Sequence, residues 1–428
     1  MGFFRNAASV FATSAIALPI SVVTNVVVAR WLSVPDRGLY AELTNFSFVF
    51  YLLTQLGWGD AVIYRVRGHG VPPRRAFATG LFANGAVALG AFALCVAFRE
   101  PLSHQFLGGA SPKAFWLAAA TGPLLVLGDL LRGVARALDR FDLHNQFGLL
   151  QSAAILGGLL IALPLAGGAL EAALSSWCLV QVFLVAYFGA RVAALAGFEW
   201  RLDLHEAAAS IAFGGAMYFQ YLLIQLHERA DVLLLGALGT PSFDVALYAT
   251  AVSVISPLRL VPGAIGTALL PELSGVSARE AAEFTAAVVR TSALVMLAIA
   301  LGLAAVGALA IPLLFGARYA PAVTPFLILL PGLTAVTVSR LLQRYFAAVG
   351  RPRALWGIGA LALGANVGLN LVLIPRAGIL GAATAGLCST TLEAVATVWY
   401  FSSESGQRVR DTLLMRGADF ARIRSRLR

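Results

Sequence analysis

Apolar runs long enough to cross a bilayer follow one another along the whole chain. A helix needs roughly 20 consecutive apolar residues to span the hydrocarbon core. Runs of about that length or more occupy 8–31, 39–62, 77–98, 115–138, 147–165 and 169–192 in the first half, and 207–238, 243–270, 286–315, 321–349, 355–374 and 378–401 in the second. Composition agrees: 59% of residues are hydrophobic and 12% are charged, where soluble domains carry about 25% charge. The expected fold class is an all-α integral membrane protein of about twelve transmembrane helices. The first run is too long for a signal peptide and is followed by further spans, so it reads as a helix.

Loop charge orients the spans. Alternate connections carry Arg65, Arg67, Arg74 and Arg75, then Arg136 and Arg140, Arg191 and Arg201, Arg279, and Arg351 and Arg353. The tail adds Arg408, Arg410, Arg416, Arg422, Arg424, Arg426 and Arg428, whereas the opposite connections hold Arg37, Arg99, Lys113, Arg318 and Arg376. The positive-inside rule therefore places both termini in the cytoplasm. The net charge of +10 belongs with a membrane surface rather than nucleic acid, and anionic lipid headgroups are the expected partners of the tail. No connection is long enough for an extramembrane catalytic domain, which needs about 50 residues. Cys95, Cys178 and Cys388 lie inside apolar runs, without the spacing of a metal or disulfide site. No phosphate-binding glycine loop, nucleophile elbow or zinc-protease signature is present, so no catalytic or metal residues are assigned.

The two halves share short matches at a common offset of about 210 residues. DRGLYA at 36–41 recurs as DVALYA at 244–249, Ala172, Ala173 and Cys178 recur as Ala382, Ala383 and Cys388, and 137–140 matches 348–351. These matches imply a duplicated, pseudo-symmetric chain: a six-helix lobe over 1–200, a second over 201–402, and a basic cytoplasmic tail over 403–428. Parallel repeats of this kind suit alternating access.

Ionisable side chains inside the runs are costly, at least about 2.5–3.5 kcal/mol at a helix centre, and so mark a cavity or a partner. Arg259 stands near the middle of the eighth span, between Pro257 and Pro262, which should loosen the backbone there. Asp129 and Arg132 share a face of the fourth span, as a mutual ion pair or as cavity groups. His227, Glu228, Arg229 and Asp231 cluster toward the outer end of the seventh, with His227 and Asp231 placed to pair. Glu393, in the twelfth, is a partner for Arg259 or a titrating group. Arg290, Arg340 and Arg344 lie toward the cytoplasmic ends of the ninth and tenth spans. With Arg132 they compose a basic mouth suited to a phosphorylated anion, although snorkelling to the headgroups also accounts for them.

The stretch NVGLNLVLIPRAGILGAA at 366–383, the turn from Ala29 to Ala41, the Gly350-Arg351-Pro352 connection and the Asp231-to-Ala249 hairpin resemble the Wzx-type polysaccharide flippases, relatives of the MATE exporters and lipid II flippases in the MOP superfamily. The resemblance implies a MATE-like fold in the bacterial cytoplasmic membrane. It also implies translocation of an undecaprenyl-diphosphate-linked oligosaccharide from the inner to the outer leaflet, working beside a polysaccharide polymerase or glycosyltransferases. Carried over by topology and depth, Arg259, Arg132, Arg290 and Arg340 are the candidate substrate-binding cations. Asp129, Glu228, Asp231 and Glu393 are the candidates for coupling to H+ or Na+, with no cofactor. A small-molecule exporter of the same fold and a membrane enzyme of polysaccharide assembly are the competing readings.

Overall fold

The computed structural model describes residues 2–273, 276–349 and 354–414. The expected cytoplasmic cations Arg351 and Arg353, the Gly350-Arg351-Pro352 motif and the tail arginines from Arg416 onward lie outside the described residues.

The described chain is helical throughout. Its α-helices are α1 (Gly2–Trp31), α2 (Val34–Thr54), α3 (Trp58–His69), α4 (Pro73–Ala97), α5 (Arg99–Phe106), α6 (Pro112–Ala137), α7 (Phe141–Leu165), α8 (Leu170–Ala196), α9 (Leu204–Ala237), α10 (Ser242–Ile255), α11 (Leu260–Leu273), α12 (Ala278–Phe315), α13 (Val323–Leu329), α14 (Gly332–Ala348), α15 (Ala354–Ser405) and α16 (Val409–Leu413). By length and composition, eight of these segments can cross a membrane, or ten when two bent pairs are each taken as one span. Two further features account for the rest of the expected twelve. The apolar stretch Ala15–Trp31 is a shorter helix within α1, and α15 is a hairpin rather than one rod. At Gly378 its backbone leaves the helical region (φ 52°, ψ −131°), a conformation open to glycine. Beyond it the chain doubles back, so that Asn366 Nδ2 donates to Ser389 Oγ at 3.2 Å across the hairpin.

Local chemistry sets the other boundaries. Ser33 and Ser111 cap α2 and α6 by accepting from Asp36 N and Ala114 N, each followed by a proline at the helix start. Ser277 and Glu280 form a reciprocal capping box that starts α12. Between α2 and α3, Leu56 and Gly57 take φ of 48° and 74°, which breaks the second span before its basic end. The repeat motifs occupy matching places, with Asp36 and Asp244 each in the first turn of its helix.

Backbone contacts divide the chain into two compact units, Met1–Ala249 and Thr250–Arg428. In the first, α6 is the central helix and packs on α2, α3, α4 and α8, while α1 pairs with α7. The division falls past residue 200, the boundary expected between lobes, because α9 packs on α2 and α3. Small residues permit the closest approaches: a Cβ added to Gly133 of α6 would lie 2.5 Å from the Gly59 carbonyl of α3. In the second unit, α14 is the central helix and packs against α11, α12 and α15.

Candidate functional site

In the first unit, Arg132 and Asp129 do form the ion pair their spacing allows. Arg132 Nη2 lies 3.3 Å from Asp129 Oδ1, with the side chains 30% and 18% exposed. Arg132 also stands over the Phe147 ring, 5.3 Å from its centroid. One turn toward the basic end, Arg136 pairs with Asp60 at 3.3 Å. Tyr51, Tyr218 and Tyr221 lie within the electrostatic reach of Asp129, and the Tyr218 hydroxyl donates to the Leu52 carbonyl at 2.9 Å. The result is a half-buried cation–carboxylate pair set among aromatic rings.

The C-terminal half of α9 is held by specific partners. Tyr248 of α10 donates to Asp231 at 2.5 Å, and both side chains are buried. Arg229 donates to Asn45 Oδ1 of α2 at 3.1 Å and covers the Phe48 ring at 3.5 Å. His227 is buried on the same helix, and Glu228 is half-buried. Sequence reasoning missed Glu42 of α2. It is 1% exposed, and neither carboxylate oxygen has a hydrogen-bond partner among the described residues. As an acid inside the apolar run 39–62 it met the rule applied to the other ionisable residues and was passed over, while its burial on α2 is set by packing.

At the basic end, Arg65 makes a two-pronged pair with Glu206 at 2.8 and 2.5 Å, and Arg75 donates to Asp203. Arg67 pairs with Asp139 at 3.0 Å and also donates to the Arg136 and Ala137 carbonyls that end α6. These cations, which stand on α3 and α4 rather than in the connection expected to carry them, tie helix ends together.

In the second unit, the two prolines break the eighth span as expected. Ser256–Arg259 is a turn of 3-10 helix between α10 and α11. Pro257 and Pro262 each lack the N–H that would continue the α-helical ladder. The half-buried Arg259 closes this turn, and the turn packs against α14. On that helix Arg340 Nη1 donates to Gln343 Oε1 at 3.4 Å, and Gln343 Nε2 donates to Glu393 Oε1 at 3.0 Å. Glu393 is 4% exposed. The Arg344 side chain runs over Gly266 of α11, where an added Cβ would lie 3.0 Å from its Nε, and it is close enough to Arg340 for the two charges to interact. Arg290 is placed differently: it is buried and donates to the Asp411 carbonyl of α16. Of the four candidate cations, then, Arg259 and Arg340 stand on neighbouring elements of one unit, Arg132 belongs to the other, and Arg290 contacts the short helix α16 within the tail.

A polytopic helical bundle with ionisable pairs set within its spans defines the class of multi-pass membrane proteins. Solved structures with this architecture include a multidrug resistance MATE family transporter of the MOP superfamily in an inward-facing conformation (TM-score 0.72, 13% identity, 92% of this chain and 98% of that one). They also include the lipid II flippase MurJ (TM-score 0.72, 12% identity, 94% and 88%) and a MOP superfamily transporter from Pyrococcus furiosus (TM-score 0.67, 13% identity, 94% and 96%). At these identities the likeness is one of fold. The family is fixed by sequence: the model of the polysaccharide biosynthesis protein family matches residues 27–324, and the chain belongs to that family. The probable flippase AglR of Haloferax volcanii is 28% identical over 184 residues, 39% of this chain and 36% of that protein, so the match spans about a third of that relative's length. That relative is named as a probable flippase, and the structural neighbours are transporters and a flippase.

Proposed function

We propose that this protein flips an undecaprenyl-diphosphate-linked oligosaccharide from the inner to the outer leaflet by alternating access, for cell-surface polysaccharide assembly. It does so in the bacterial cytoplasmic membrane with both termini on the cytoplasmic side. One observation carries the reading: Arg259 is held on a 3-10 break inside an otherwise apolar span, on a turn that packs against the helix bearing Arg340. A guanidinium keeps its charge at any physiological pH and offers a planar fork to phosphate oxygens. A diphosphate rewards cations at that depth, where an organic cation would be repelled. Arg132, among its tyrosines, is the corresponding cation of the first unit and suits sugar rings that stack on aromatic faces. Arg290 fits this role less well, since it spends its donors on the tail helix.

Coupling to H+ or Na+ falls to Asp129, Glu228, Asp231 and Glu393. The arginine-rich tail meets anionic headgroups, and polymerase or glycosyltransferase partners supply and consume the cargo. A small-molecule exporter of the same fold is the competing reading, and the buried acids Glu42 and Asp231 are the observation on its side. A leaflet assay in reconstituted vesicles separates the two. Protein-dependent movement of a defined diphosphate-linked oligosaccharide is expected. Vesicles that move an organic cation but leave the lipid-linked sugar in its original leaflet would refute the flippase reading.

A further inference from the structure

On the first unit, α6 packs against both α4 and α8, which meet each other only sparingly. The gap between them is a groove of about 280 Å³ whose floor is α6. Its lining is apolar from end to end, with Phe77 and Leu81 on one wall, Leu130 and Leu131 on the floor, and Gly189 and Ala193 on the other wall. On α8 it runs from Val185 to Ala193, about 12 Å of helix at 1.5 Å per residue, close to the roughly 15 Å depth of one leaflet's hydrocarbon.

The mouth of the groove lies at the basic end. Phe198 lines it and is flanked by Trp200, whose ring lies 4.9 Å away and is 86% exposed. An exposed Trp at a helix end is the usual marker of the headgroup level. Arg74 stands beside the mouth: a Cβ added to Gly197, next to Phe198, would lie 3.4 Å from the Arg74 Cβ. Arg74 is 66% exposed and only loosely paired with Glu199, at 3.8 Å. Arg75 is already engaged with Asp203, so Arg74 is the cation best placed to meet a further anion.

The geometry points to a phospholipid of the adjoining leaflet, with one acyl chain in the groove and its phosphate at Arg74. Water has no polar partner along such a lining. A peptide segment would bring in N–H and C=O groups that nothing there can bond. An acyl chain restores the dispersion contacts that a void forfeits, and the cation and indole at the mouth complement a phosphodiester head. The assignment is independent of the transported substrate.

The test is retention of lipid by detergent-purified protein, counted by native mass spectrometry after extraction from phosphatidylglycerol vesicles. Gly189→Leu fills the groove. It fits sterically, because the nearest atom to an added Cβ is Leu131 Cδ1 at 4.0 Å. It should lose one retained phospholipid relative to wild type. Gly189→Ala, which leaves most of the space open, should keep it. Arg74→Ala should weaken retention by roughly fivefold to tenfold, through loss of the attraction between a basic residue and an anionic headgroup. Equal lipid stoichiometry in wild type, Gly189→Leu and Arg74→Ala would overturn the site. So would a groove that takes polyprenyl phosphate, added to the same vesicles, in place of phospholipid. Should Gly189→Leu unfold, the exposed Arg74→Ala variant decides the matter alone.

Discussion

Asn45 and Arg229 exchange two hydrogen bonds across the contact between α2 and α9. The Asn45 amide donates to the Arg229 carbonyl at 3.1 Å and accepts from the Arg229 guanidinium at 3.1 Å. With Phe48 beneath the guanidinium, a cation in the C-terminal half of α9 is held against α2. Asn45→Ala removes both bonds, one of them made by a charged group. A hydrogen bond to a charged group contributes about 1.5–3 kcal/mol, so a clear fall in the unfolding temperature is expected in detergent. Asn45→Asp, which keeps an acceptor for the guanidinium, should lose less. Equal stability of Asn45→Ala and wild type would show that the pair is ornamental.

Tyr248 makes a second lock on the same helix by donating to the buried Asp231. Tyr248→Phe keeps the ring volume in its pocket and deletes the hydroxyl. The carboxylate then loses a short, charge-assisted bond, at a cost of about 2 kcal/mol. The double variant Tyr248→Phe with Asp231→Asn should be closer to wild type than the sum of the two singles. Strict additivity in that cycle would deny the coupling.

The spans and their order were legible because bilayer thickness fixes helix length whatever a helix packs against. The break at Arg259 was legible for an equally local reason, since Pro257 and Pro262 cannot complete the backbone ladder. The Asp129–Arg132 pair followed from helical spacing alone. The partners of Arg229, Asp231 and Arg290 were not legible: Asn45, Tyr248 and Asp411 come from other helices, up to 184 residues away for Asn45. Glu42 was missed for the same reason. Its residue type was visible in the second apolar run, but its burial was not, because α2 turns that side against its neighbours.

Glu42 makes an unusual prediction. Neither of its oxygens is hydrogen-bonded among the described residues, so its carboxylate contributes nothing evident to packing beyond volume. Glu42→Gln is nearly the same size and cannot take up the charge that burial penalises. It should therefore unfold at the wild-type temperature or above, whereas Glu42→Lys, which substitutes another charge without a partner, should fail to insert stably. A marked loss of stability in Glu42→Gln would reveal a partner for the carboxylate and refute the assignment of Glu42 as an uncompensated acid.

Two glycines on neighbouring helices separate packing from propensity. Gly133 of α6 lies against the backbone of Gly59, with three α3 backbone atoms within 2.9 Å of where a Cβ would stand. Backbone cannot give way as a side chain does, so Gly133→Ala should cost about 1–3 kcal/mol or more by overpacking. Gly148 of α7 has nothing within 4 Å of its added Cβ. Gly148→Ala should be neutral, or stabilising by up to about 1 kcal/mol through helix propensity. Parallel thermal melts of the two variants check this. Equal behaviour would mean that α3 and α6 are not in backbone contact.

The last prediction concerns Arg259. If its guanidinium receives the diphosphate, Arg259→Ala removes a charge-assisted, two-pronged contact of about 1.5–3 kcal/mol. In the vesicle leaflet assay the rate of flipping should then fall by roughly tenfold to a hundredfold. Arg259→Lys keeps the charge and loses the planar fork, so intermediate rates are expected. Because Arg259 closes a proline-bounded 3-10 turn rather than an α-helical one, the backbone break belongs to Pro257 and Pro262, and both variants should insert and melt like wild type. Stability and transport are then separable at this position. A variant that melts normally and flips at the wild-type rate would exclude Arg259 from the path, while one that flips slowly and melts early would mark it as structural. Arg132→Ala provides the parallel test in the first unit, where loss of the cation also strands Asp129, and there a fall in both readouts is expected.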